Sequence, residues 1–112
     1  TRSFAVVTDQ PAPHGNDSAP TPTEVFLMSL CACTAYYVKL ACEKVGVPTV
    51  GVQVRATAEQ SSNPTRVSSI ALSIEIPGGA PAEHRERILR YADLCLVKNS
   101  IVNAPEISLS LC

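Results

Sequence analysis

Between Val25 and Val45 the chain carries no proline and no glycine, and the first half of that stretch, Val25-Phe-Leu-Met-Ser-Leu-Cys-Ala-Cys-Thr-Ala35, has no polar face. Thr21 or Thr23 offers an N-cap, Pro22 suits a first-turn position, and Gly46 is a natural stop. The segment therefore reads as one helix of about 33 Å, at about 1.5 Å per residue. A helix that is apolar all round needs cover on every side. A single chain of 112 residues scarcely provides that, so a second copy of the chain is the simplest cover. Lys39 interrupts the apolar run, and Ser, Thr and Cys are frequent in it. A buried helix is expected here, with no membrane partner.

The rest of the chain supplies the elements that pack on this helix. Ser3–Thr8 reads as a short strand, and Asp9–Thr23 as a loop punctuated by Pro11, Pro13, Pro20 and Pro22. Val50–Ala58 alternates, with Val50, Val52, Val54 and Ala56 on one face. Val67–Ile76 places Ile70, Leu72, Ile74 and Ile76 in register. Ser61-Ser-Asn-Pro64 lies between the two runs, so they form a hairpin. Pro81 opens a second helix through about Val97, with Ile88, Tyr91, Ala92, Cys95 and Leu96 on its buried stripe. Ile107, Leu109 and Leu111 alternate with Ser108 and Ser110 in a last strand. The order β-α-β-β-α-β defines one α+β domain over residues 1–112. The chain begins on Thr1, so part of the natural N-terminus is expected to be absent.

Nine basic against ten acidic residues leave no positive excess to neutralise phosphates, and a chain without Trp lacks a stacking platform. Nucleic acid is excluded as a first guess. Five cysteines, an odd number with no leader segment, argue against a disulfide-stapled secreted scaffold. A reducing, cytoplasmic setting with free thiols is expected. Any single free cysteine more often packs as a small hydrophobe.

Helix geometry sorts these thiols. Cys31 and Cys33 lie about 200° apart round the helix and cannot bond each other. Cys42 shares the Cys31 face but lies about 16 Å further along, beyond the roughly 7 Å a disulfide spans. A redox partner for either must come from another element, and Cys95 is the obvious one. Glu24 and Cys33 are about 180° apart and about 13 Å along the axis. If both serve one site, the Glu comes from a second subunit. Taken alone, Glu24 is a first-turn carboxylate favoured by the helix dipole. Cys31-x-Cys33, His14 and His84 are the conceivable metal ligands. Their spacing is not that of a zinc site, and the opposed helix faces spoil chelation.

The run Asp9-Gln-Pro11, a Gly/Asn/Asp loop, and Ala19-Pro-Thr-Pro-Thr-Glu24-Val-Phe-Leu-Met-Ser-Leu-Cys31-Ala-Cys33-Thr-Ala resembles the OsmC/Ohr family of osmotically inducible proteins and organic hydroperoxide reductases. Tyr91-Ala-Asp-Leu-Cys95-Leu-Val resembles that family's second cysteine helix. The resemblance implies an intertwined homodimer with the long helices buried between sheets and two sites at the interface. It implies Cys33 as the reactive thiol, Cys95 as the resolving thiol and Glu24 as the active-site carboxylate. The implied chemistry is reduction of organic hydroperoxides with regeneration by a thiol reductant, without metal or organic cofactor. The family's reductase branch also holds its thiolate with an early-strand Arg, and Arg2 is the only early arginine here. Leu96 stands where the family usually has Pro. A non-catalytic binding protein holding a small lipophilic ligand in the dimer pocket is the alternative. Thiols far apart and without donors would favour it.

Overall fold

The computed structural model describes all residues, 1–112. Thr21 opens helix α1, Pro22–Val45, through a reciprocal cap. Its hydroxyl accepts the Glu24 amide at 3.2 Å while the Glu24 carboxylate accepts the Thr21 hydroxyl at 3.0 Å. Losing such a cap typically costs about 1 kcal/mol. Gly46 ends the helix at φ 75°, a left-handed conformation that an L side chain rarely adopts. By length and composition alone α1 could cross a bilayer. What makes it the central helix of a fold is its packed stripe: Leu30, Thr34, Val38, Ala41 and Cys42 are buried at helical spacing.

The hairpin forms as β1, Gln53–Ser61, antiparallel to β2, Arg66–Glu75. Val54 pairs with Ile74, Ala56 with Leu72 and Ala58 with Ile70, so the apolar residues share one face. A register shift at Glu59/Gln60 absorbs one extra residue near the turn. Helix α2, Ala82–Ala92, closes the lower end of α1. Val38, Ala41, Cys42, Val47 and Ile88 form the core there, with Val52, Ile74, Ile76 and Tyr91 packed at its margin. Lys44 Nζ donates to the Tyr91 hydroxyl at 2.6 Å and lies over its ring, tying the two helices at the rim.

The α+β architecture is the one the sequence implies, with two differences of detail. The second helix does not run through to Val97. It stops at Ala92, the chain turns through Asp93–Cys95, and a short helix α3, Leu96–Val102, follows. Cys95 caps α3 in an extended conformation, φ −51° and ψ 121°, rather than sitting inside a helix. The segments 3–8 and 107–111 have no strand pairing within one chain. Their alternation is intact, but a strand exists only against a partner edge. Leu109, 96% exposed, shows how little one chain covers them.

The loop before α1 is folded round one carboxylate. Asp9 accepts the amides of Gln10, Asn16 and Ser18 and the Ser18 hydroxyl. The Asp9 amide in turn donates to the Pro20 carbonyl at 3.1 Å, closing the loop at the foot of the helix. Gly15 is required, because a Cβ there would strike Asp9 Oδ1 and the Gln10 carbonyl. The Ser18 hydroxyl, then the three amides, hold the Asp9 carboxyl well below its ordinary value of 3.8. A depressed pKa stabilises above the ordinary value and is lost as pH falls through the folded one. The loop is therefore expected to keep its amide shifts for Asn16 and Ser18 at pH 4 and lose them only in stronger acid. Asp9→Ala should lose them at neutral pH, which a proton–nitrogen correlation spectrum reads directly.

Candidate redox site

The break between α2 and α3 has a chemical consequence. It turns Cys95 back toward α1, where it is fully buried beside Cys33 and Thr34. The Cys33 and Cys95 thiols adjoin each other there. The Lys98 amide donates to the Cys95 sulfur at 3.4 Å. The backbone amides of Leu96 and Val97, in the first turn of α3, lie beside the pair. Cys33 is half-buried, so this cluster is reached from outside through Cys33.

The two thiols are tuned in opposite directions. Burial, then the neighbouring Cys95 thiol, pushes Cys33 above the ordinary thiol range, and the Val97 and Leu96 amides offset only part of it. Burial also acts to raise Cys95. It is outweighed by the donors gathered round the sulfur, Cys33 first, then the Lys98 amide, Thr34 and the Val97 amide, so Cys95 lies below the ordinary range.

The other sequence candidates fall elsewhere. Cys42 is in the α1–α2 core and Cys31 is half-buried; burial raises both thiols. Cys112 is exposed at the terminus. Glu24 is committed to the α1 cap, beside a polar hollow of about 430 Å³ between the Asp9 loop and the hairpin, and is not part of the thiol cluster. Arg2 lies over the Phe4 ring, 4.8 Å from its centre, in the exposed N-terminal segment. Cys31, Cys33, His14 and His84 do not converge into a metal-binding group. A groove of about 400 Å³ runs between β2 and α3, lined by Leu30, Ile70, Leu72, Ile101 and Val102 with Lys98 at its edge.

Two features of this cluster escape sequence reading. The α3 amides depend on a helix start that no Pro or Gly announces. Thr34 did leave a signal: it is the polar member of the buried Leu30–Thr34–Val38 stripe, adjacent to Cys33.

A thiol pair held between the central helix and a short capping helix, over an antiparallel hairpin, defines an α+β protein with a dithiol centre. The profile for OsmC-like protein matches residues 15–110, and the chain belongs to that family. Among solved structures it is similar to a putative osmotic stress induced and detoxification response protein from Psychrobacter arcticus. That match has a TM-score of 0.77 and 22% identity, over 85% of this chain and 70% of that one. It is also similar to a Legionella pneumophila protein described as an organic hydroperoxide resistance protein OsmC, predicted redox protein and regulator of sulfide bond formation. There the TM-score is 0.62 and the identity 19%, over 78% of this chain and 65% of that one. No curated protein matches the chain.

Proposed function

We propose that the chain reduces organic hydroperoxides through Cys33 and Cys95, in a site that two copies of the chain complete together. The observation that carries this reading is the juxtaposition of the two thiols, one from α1 and one at the head of α3. Idle core cysteines have no need of it, and a binding protein with unused thiols would gain nothing from the Lys98 amide donated to the Cys95 sulfur. Cys33, the more accessible of the two, meets the peroxide. The Cys33 sulfur attacks the O–O bond and takes the terminal hydroxyl as a sulfenic acid, while the thiol proton of Cys33 goes to the leaving alkoxide, which departs as the alcohol. Cys95 then attacks the sulfenic sulfur, forming the Cys33–Cys95 disulfide, and its own thiol proton leaves with the sulfenic hydroxyl as water. Two electrons from a dithiol donor restore both thiols.

The groove beside α3 supports an organic substrate over hydrogen peroxide, since its apolar lining has room for a hydrocarbon group. The Legionella protein described as conferring organic hydroperoxide resistance supports the same class. Glu24 serves the thiols of a second copy, because its own lie about 13 Å along the helix. A cytoplasmic setting suits a centre that must be re-reduced by thiols. The direct test is consumption of tert-butyl hydroperoxide by the reduced protein with a small dithiol donor, against hydrogen peroxide. At least about tenfold faster turnover of the organic peroxide is expected, a modest selectivity of the size apolar contact supplies. Consumption no faster than the dithiol blank would overturn the proposal.

A further inference from the structure

We infer that the Asp93–Lys98 ion pair is a positioning clamp of the dithiol centre: it holds the turn that brings Cys95 back to Cys33, and so favours the bond between the two sulfurs. The inference rests on the Cys33–Cys95 pair of the proposed function, but not on the substrate that pair reduces.

Asp93 caps the C-terminus of α2, and Lys98 lies in the first turn of α3. Lys98 Nζ donates to Asp93 Oδ1 across the turn between them. The backbone amide of the same lysine donates to the Cys95 sulfur at 3.4 Å. Lys98 thus ties the end of α2 with its side chain and the buried sulfur with its main chain. The ion pairs Lys39–Glu43 and Arg90–Glu86 are different in kind. Each joins residues four apart along one helix and forms wherever that helix does. Asp93 and Lys98 are five apart. In an unbroken helix they would lie about 140° apart round the axis and could not face each other. Their pair belongs to the bent form alone.

That condition gives the pair its use. No proline or glycine lies between Tyr91 and Val97, so a continuous helix competes with the turn. In the bent form Cys95 is the N-cap of α3, and its sulfur is fully buried beside Cys33. An interaction made only in that form raises its population, and with it the fraction of chains whose thiols adjoin. The Lys98 side chain is also the most sheltered of the paired lysines and arginines. It is 32% exposed, against 60%, 71% and 75% for Lys39, Arg55 and Arg90. Its stem lines the groove between β2 and α3, and a sheltered pair is screened less by salt.

The test is the effective concentration of the two thiols, read from the equilibrium of the folded protein with reduced and oxidised glutathione. Each Cys33–Cys95 disulfide that forms consumes one oxidised glutathione and releases two reduced ones, and alkylation with mass mapping counts it. Asp93→Asn and Lys98→Met are each expected to lower the effective concentration about threefold, the size of a partly exposed ion pair. The double variant is expected to be no lower than either single one, since all three lose the same interaction. Lys98→Arg, which keeps the charge, is expected to stay near wild type. So is Arg90→Met, which breaks a pair within α2. A pair that served stability alone would lower the unfolding midpoint and leave the effective concentration unchanged. Unchanged values in folded Asp93→Asn and Lys98→Met, or losses that add in the double variant, would overturn the inference. Asp93 is 70% exposed and Asn has its shape, so that variant still gives the reading if Lys98→Met disrupts packing. Peroxide consumption is followed in parallel. A wild type inactive toward peroxide but showing the coupled loss would sink the proposed function and leave this inference standing. Peroxide turnover with equal effective concentrations in all variants would do the reverse.

Discussion

Cys33→Ser should lower hydroperoxide turnover by about 10³-fold or more, to the background of the thiol donor, while Cys95→Ser should leave one turnover per chain and then stop. The asymmetry follows from where the sulfurs sit. Cys33 is half-buried and Cys95 fully buried, so the peroxide reaches Cys33 first. A serine hydroxyl is a far weaker nucleophile than a thiol near neutral pH, and loss of a nucleophile typically removes almost all of the chemical rate. Without Cys95 the sulfenic acid that forms at Cys33 has no resolving thiol. The trapped acid should react with dimedone. Mass mapping of the oxidised wild type should find a Cys33–Cys95 disulfide. Cys112→Ser, at the exposed terminus, should behave as wild type. Equal turnover in wild type, Cys33→Ser and Cys95→Ser would remove the redox reading altogether.

How much of this arrangement the sequence carries depends on how local each feature is. The bounds of α1 are legible because Thr21, Pro22 and Gly46 each have a mechanism at a helix end. The hairpin register is legible because one apolar face repeats every second residue on both strands. Helix angles place Cys33 away from Cys31 and out of reach of Glu24; in the structure Glu24 caps α1 while Cys33 lies beside Cys95. The turn at Asp93–Cys95 is not legible, because Tyr91-Ala-Asp-Leu-Cys95-Leu-Val fits a helical stripe and contains no breaker. There tertiary burial of the Cys95 sulfur decides the backbone, and propensity does not. The terminal strands illustrate the opposite case. Ile107, Leu109 and Leu111 carry the right pattern, but a pattern states which face is apolar and not which edge it joins.

That unjoined surface leads to the second large effect, on assembly. The chain exposes 8563 Å², against about 5,900 Å² for a compact chain of its mass. Its radius of gyration is 16.9 Å, against about 13 Å for a compact chain of this length. Only eight residues are buried, too small a core for a domain this long. Per chain, the excess area exceeds the roughly 800 Å² that a standard interface takes from each partner and is the size of an obligate one. A second copy is the natural source of cover. The face of α1 opposite its packed stripe carries Met28, Ala32 and Tyr36, spaced four apart and exposed in one chain. In solution the protein should run at about twice its 11.9 kDa, with an unfolding midpoint that rises with concentration. Ala32→Arg discriminates sharply. Arginine is a good helix former, so on a free surface it should change nothing measurable. If Ala32 is sealed between two copies, the buried unpaired charge should weaken association by about 100-fold or more. Light scattering on a dilution series reads the difference. A monomeric wild type, or an Ala32→Arg variant as dimeric as wild type, would show that this face of α1 does not join two copies.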